Sequence, residues 1–137
     1  MKKEAKHIES LFKLLISKEK HLFPKTRKKI NVPESHGVYI IYNPNGKVVY
    51  VGITKYGQNG LKNRFKNHLY GMSSFTKNYL NNKGSKLRNR YMYQFIEINE
   101  ANDRKRLLLE AFATGKLCPA HIGTRKRKKK SKKLKNN

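Results

Sequence analysis

Gly37-Val38-Tyr39-Ile40-Ile41-Tyr42-Asn43-Pro44-Asn45-Gly46-Lys47-Val48-Val49-Tyr50-Val51-Gly52-Ile53 is rich in β-branched and aromatic residues and is interrupted once, by residues that favour a turn. Asn45-Gly46 supplies the backbone freedom that a tight hairpin needs, so two antiparallel strands are predicted, Gly37 to Tyr42 and Lys47 to Ile53. With Asn45-Gly46 at the turn centre, Tyr39 faces Gly52 and Tyr50 faces Ile41. The two tyrosines are then diagonal neighbours on one face.

Moving outward, Leu61, Phe65 and Leu69 recur every fourth residue and Gly71 follows as a stop, which predicts a helix from Gly60 to Tyr70. The polar, basic stretch from Ser73 to Arg90 holds Phe75, Tyr79, Leu80 and Leu87 as anchors for a short second helix and a loop around Gly84. Tyr91 to Ile98 reads as a third strand. Asn102 or Asp103 can then cap a helix to about Thr114, closed by Gly115 and Pro119. Towards the N-terminus, Ile8, Leu11, Phe12, Leu15 and Ile16 form one stripe at helical spacing between Lys3 and Lys20. The expected organisation is an amphipathic helix over 1–23, a basic linker over 24–36, a folded domain over 37–123 and a disordered lysine/arginine-rich tail over 124–137.

The 137 residues suit one domain with extensions, since a single core uses about 100 to 150 residues. Lys and Arg number 33 against eight acids, a net charge of +25, well beyond the magnitude of about 2 to 8 that suffices for solubility. Such a field draws in polyanions and releases their condensed counterions, which makes nucleic acid the expected partner. The single cysteine, Cys118, excludes an intramolecular disulfide and a cysteine zinc cluster and fits a reducing compartment. Apolar runs such as Leu107-Leu108-Leu109 are too short to span a bilayer, and the N-terminus lacks the pattern of a signal peptide. The expectation is a cytoplasmic, nucleoid-associated protein with no membrane partner, or a nuclear one in a eukaryotic host.

Few residues carry candidate chemistry. Glu110 lies in the most apolar stretch of its helix, where a carboxylate needs a cation, either an arginine or a divalent metal such as Mg²⁺ or Mn²⁺. Arg64 and His68, four apart on a helix, share a face and can both donate to a phosphate. Tyr39 and Tyr50 are ordinary packing residues unless a cation stands near, in which case a phenol can act on water as a general base. Lys47 and Lys55 are close in sequence and could lower a phenol pKa. His7, His21, His36 and His121 show no metal-ligand spacing, and Gly57-Gln58-Asn59-Gly60 is a turn rather than a phosphate-binding loop.

Gly37-Val38-Tyr39, Tyr50-Val51-Gly52, Arg64, His68 and a helical Glu110 together resemble the GIY-YIG nuclease superfamily over about Gly37 to Ile122. The resemblance implies a small α/β (α+β) module with a three-stranded antiparallel sheet flanked by helices, and metal-dependent DNA cleavage that leaves a 5′-phosphate and a 3′-hydroxyl. It implies Tyr39 as general base or water-orienting phenol and Tyr50 as support for the attacking water. Arg64 would steady the scissile phosphate, His68 would hold that phosphate or assist proton transfer, and Glu110 would be the one protein ligand of a single Mg²⁺ or Mn²⁺ ion. Family members commonly carry an asparagine shortly after the proline that follows the last helix, and Pro119-Ala120-His121-Ile122-Gly123 has none.

Lys47, Lys55, Lys62, Arg64, Lys66, His68, Lys86, Arg88 and Arg90 are the expected nucleic-acid contacts. The substrate expected is double-stranded DNA, with RNA as the second class. Target choice is expected to be weak, or supplied by a homodimer or a protein partner. The competing reading is a non-catalytic nucleic-acid-binding scaffold or a component of a ribonucleoprotein or phage assembly.

Overall fold

The computed structural model describes residues 2–25 and 28–123, so the expected tail over 124–137 lies outside the described residues. The element order is α1 (Lys2–Ser17), β1 (His21–Leu22), β2 (Gly37–Tyr42), β3 (Val48–Ile53), α2 (Leu61–Leu69), β4 (Met92–Glu97) and α3 (Arg104–Leu117). The architecture is a mixed α/β one, an antiparallel sheet flanked by helices. Four strands form it, in the order β1-β4-β2-β3, rather than three. The addition is the two-residue β1, whose His21 and Leu22 pair with Tyr93 and Met92.

The hairpin takes the expected register, Tyr39 opposite Gly52 and Ile41 opposite Tyr50. A bulge then shifts Tyr42 onto Val48. Strand β2 is central and buried along its whole length, because both faces of the sheet are covered. Tyr39 and Ile41 join one core with Phe23, Phe65 and Phe75, while Val38, Ile40 and Tyr42 join another with Ile8, Leu15 and Leu109. The alternation of the strand thus sends Tyr39 and Ile41 towards α2 and Val38, Ile40 and Tyr42 towards α1 and α3.

Three boundaries differ from the sequence reading for local reasons. Gly115 sits inside α3, which continues to Leu117 and ends where Cys118 adopts a left-handed conformation with φ of 46°. Helix α1 stops at Ser17 and leaves Ile16 exposed. Ser73 to Arg90 forms a single π-type turn at Phe75–Tyr79 and a short 3-10 segment at Gly84–Leu87 instead of a regular second helix. Ile30, Val32 and His36 from the stretch expected as a linker are buried, and Leu61 N–H donates to the Ser35 carbonyl at 2.9 Å. Among the described residues no helix is long and apolar enough to cross a membrane.

Candidate active site

The site begins with the cross-strand pair of Tyr39 and Gly52. A Cβ at position 52 would fall 2.2 Å from Tyr39 Cζ and 2.3 Å from its hydroxyl oxygen, so the phenol ring lies across the bare glycine backbone. The ring is fully buried, with Phe65 of α2 at 4.7 Å and Tyr50 at 6.1 Å between centroids. Tyr50 stacks on Phe75 from the π-type turn at 5.0 Å.

Helix α2 carries Arg64 and His68 to these phenols. The buried His68 binds the Tyr39 hydroxyl through Nε2 at 2.7 Å and Ser73 Oγ through Nδ1 at 2.7 Å. The Arg64 guanidinium interacts with both phenol oxygens, and the phenols raise its pKa in return. Glu110, half-buried on α3, exerts its charge on both phenols as well. Residues far apart in sequence are therefore within electrostatic reach of one another around two hydroxyl oxygens.

Protonation follows from burial first. Burial raises the Tyr39 pKa well above the ordinary 10.0; the Tyr50 and Glu110 charges push it the same way and Arg64 opposes. Tyr50 is raised too, by burial, with Arg64 again opposing. Lys47 and Lys55 are exposed, and Arg64 is a cation that acts on both phenols. Burial, then Arg64 and His121, hold the His68 pKa well below 6.5, so its imidazole is neutral at pH 7.

His68 has no exposed surface and both its ring nitrogens are engaged, which corrects its reading as a direct nucleic-acid contact. Arg88 is also committed elsewhere: its Nη1 donates to the carbonyls of Lys25 at 3.1 Å and Lys28 at 3.2 Å. Lys47, Lys55, Lys66, Lys86 and Arg90 are exposed and Lys62 is half-exposed.

The sequence reading missed Ser73 and Thr76, which the π-type turn after α2 brings under His68. It also passed over His121. The His121 ring lies 5.7 Å from Tyr50 and 5.8 Å from Phe75, and its Nε2 is buried without a partner among the described residues. The chain after α3 is held there by N–H bonds from Ala120 to the Val48 carbonyl and from His121 to the Val49 carbonyl. His121 thus stands beside Tyr50 in a segment without the family's usual asparagine.

No group of three or more His, Cys, Asp or Glu side chains gathers among the described residues. Glu110 is the carboxylate beside the two phenols, and a divalent ion held by it would take water and phosphate oxygens as further ligands. That donor set suits Mg²⁺ or Mn²⁺, which retain several waters.

Residues 35–115 match the family model described as the GIY-YIG catalytic domain, more than half of the chain. The chain belongs to the GIY-YIG family, a family of nucleases whose members are endonucleases, generally dependent on divalent metals. No curated protein matches it.

Proposed function

We propose that the protein is a metal-dependent endonuclease that hydrolyses DNA phosphodiester bonds with low intrinsic sequence specificity. The observation that carries this reading is the convergence of Tyr39, Tyr50, Arg64 and Glu110, with Tyr39 hydrogen-bonded to the neutral His68. A packing role alone gives no reason for a buried phenol to share an arginine and a carboxylate with its neighbour.

Tyr39 is protonated at rest, so it acts as a relay rather than as a preformed phenolate. It takes a proton from the attacking water while passing its own to His68 Nε2, 2.7 Å away. The water oxygen bonds to phosphorus, the bond to the 3′ oxygen breaks, and solvent protonates that oxygen to leave a 3′-hydroxyl and a 5′-phosphate. Tyr50 orients the water and Arg64 balances the added charge on the phosphate. Glu110 would hold one Mg²⁺ or Mn²⁺ ion, which supplies Lewis-acid stabilisation of the phosphate when bound.

Lys47, Lys55, Lys62, Lys66, Lys86 and Arg90 supply phosphate contacts, which position a duplex without reading its bases. The test is Mg²⁺-dependent nicking of supercoiled plasmid. Glu110→Ala and Tyr39→Phe should each lower the rate by at least about a hundredfold while salt-sensitive DNA binding persists. Equal nicking by Glu110→Ala and wild type would reject the role assigned to Glu110, and no nicking by the wild type would favour a basic scaffold.

A further inference from the structure

Behind Tyr39 and His68 lies a closed set of hydroxyl groups whose protons can be counted. Thr76 Oγ1 bonds the His68 carbonyl oxygen at 2.5 Å, and a carbonyl only accepts, so the threonine hydroxyl spends its one proton there. Ser73 Oγ stands 3.1 Å from Thr76 Oγ1, which can then only accept, so the serine proton goes to the threonine. Ser73 Oγ has no further proton for the imidazole and already accepts the Thr76 N–H at 3.1 Å. The contact of 2.7 Å between Ser73 Oγ and His68 Nδ1 is therefore donated by the ring.

A neutral imidazole carries one N–H. With that hydrogen on Nδ1, Nε2 is a bare lone pair, and the bond to Tyr39 must be donated by the phenol. Ser73 is 2 % exposed, and Thr76, His68 and Tyr39 are fully buried, so bulk water is kept from supplying an alternative partner. The consequence reaches the Arg64 side of the phenol: the Tyr39 proton points to His68 and its oxygen lone pairs remain for Arg64 and, in the nuclease reading, for the attacking water.

We propose that Ser73 and Thr76 are positioning residues, which set the His68 tautomer and so aim the Tyr39 hydroxyl as a proton donor to His68 and an acceptor on the side of Arg64. The tautomer follows from the hydrogen bonds alone, whereas its catalytic consequence rests on the nuclease reading above. The π-type turn at Phe75–Tyr79 serves this arrangement by bringing the Thr76 amide and hydroxyl back onto Ser73 and His68. A register change there would disconnect them.

The experiment is a two-bond ¹H–¹⁵N correlation spectrum of the full-length, ¹⁵N-histidine-labelled protein at neutral pH, with nicking measured on the same samples. In the wild type, His68 should show a protonated Nδ1 and an unprotonated Nε2. Thr76→Val removes the acceptor for the Ser73 proton and frees it to donate to Nδ1. His68 should then shift towards the Nε2-protonated form, with kcat falling about tenfold to a hundredfold and KM for DNA unchanged. Thr76→Ser restores a hydroxyl and should restore both tautomer and kcat.

A wild-type His68 protonated on Nε2, or a Thr76→Val spectrum identical to that of the wild type, overturns the proposal. Should Thr76→Val fail to fold, the wild-type and Thr76→Ser spectra decide it. Absence of nicking by the wild type would instead remove the nuclease reading and with it the catalytic consequence, while the spectrum still decides the tautomer.

Discussion

Gly52 shows how a single missing side chain can build a site. Its strand backbone tolerates any residue, yet the space where a Cβ would stand is occupied by the Tyr39 ring. A Gly52→Ala substitution must push that ring off its glycine seat and away from His68, an overpacking that costs about 1–3 kcal/mol. The expected result is a lower denaturation midpoint by chemical unfolding together with loss of nicking out of proportion to the fraction unfolded. Normal activity and stability in Gly52→Ala would show that the ring can move freely. The cross-strand pair was legible in advance, since the Asn45-Gly46 turn sets the register. The sharing of Arg64 by both phenols was not, because it depends on the angle at which α2 crosses the sheet.

At the scale of elements, α1 lies outside the matched family region and packs beside α3 on the far face of the sheet from the phenols. Its end is secured by Gln94 of β4, whose side-chain amide donates to the carbonyls of Lys18 at 2.8 Å and Ile16 at 3.3 Å while its oxygen accepts the Tyr42 hydroxyl. One buried amide thus joins α1, β4 and β2. Replacing it by leucine strands a buried hydroxyl and two helix-end carbonyls, at a cost of about 1–3 kcal/mol. In a Gln94→Leu variant, amide hydrogen exchange should accelerate in α1 before it does in β2 and β3; uniform acceleration would mean that α1 does not open separately. The apolar stripe of this helix was readable from periodicity, with Ile8 and Leu15 buried as expected. The Gln94 tie was not, since a glutamine within a strand carries no sign of a partner so distant in the chain.

For the whole molecule, charge and pH act together. His36, His68 and His121 all have pKa values below the ordinary 6.5, with burial the leading cause for each. The unfolded chain therefore binds more protons than the folded one below about pH 6.5, and stability falls as the solution is acidified from there. Carboxylates lowered by their partners, such as Glu100 beside Lys105 and Asp103 at the Tyr56 N–H and Arg106, weaken the fold only at lower pH, nearer their ordinary values of 4.5 and 3.8. Urea unfolding between pH 7.5 and 5 should show a decline that is smaller in His68→Gln, provided both proteins are measured at one ionic strength. An equal decline in both would place the proton uptake elsewhere.

The hairpin, the helices around it and the attraction to polyanions are consequences of local pattern: alternation, four-residue spacing, an Asn-Gly turn and a charge of +25. They were open to reading because each depends on neighbours in the chain. The fourth strand depends on pairing between segments dozens of residues apart, and the Ser73 and Thr76 hydroxyls, though near His68 in the chain, are turned onto it by a π-type turn that no local pattern announced. Burial then determines which protons those contacts hold, by removing the water that would otherwise satisfy every group equally.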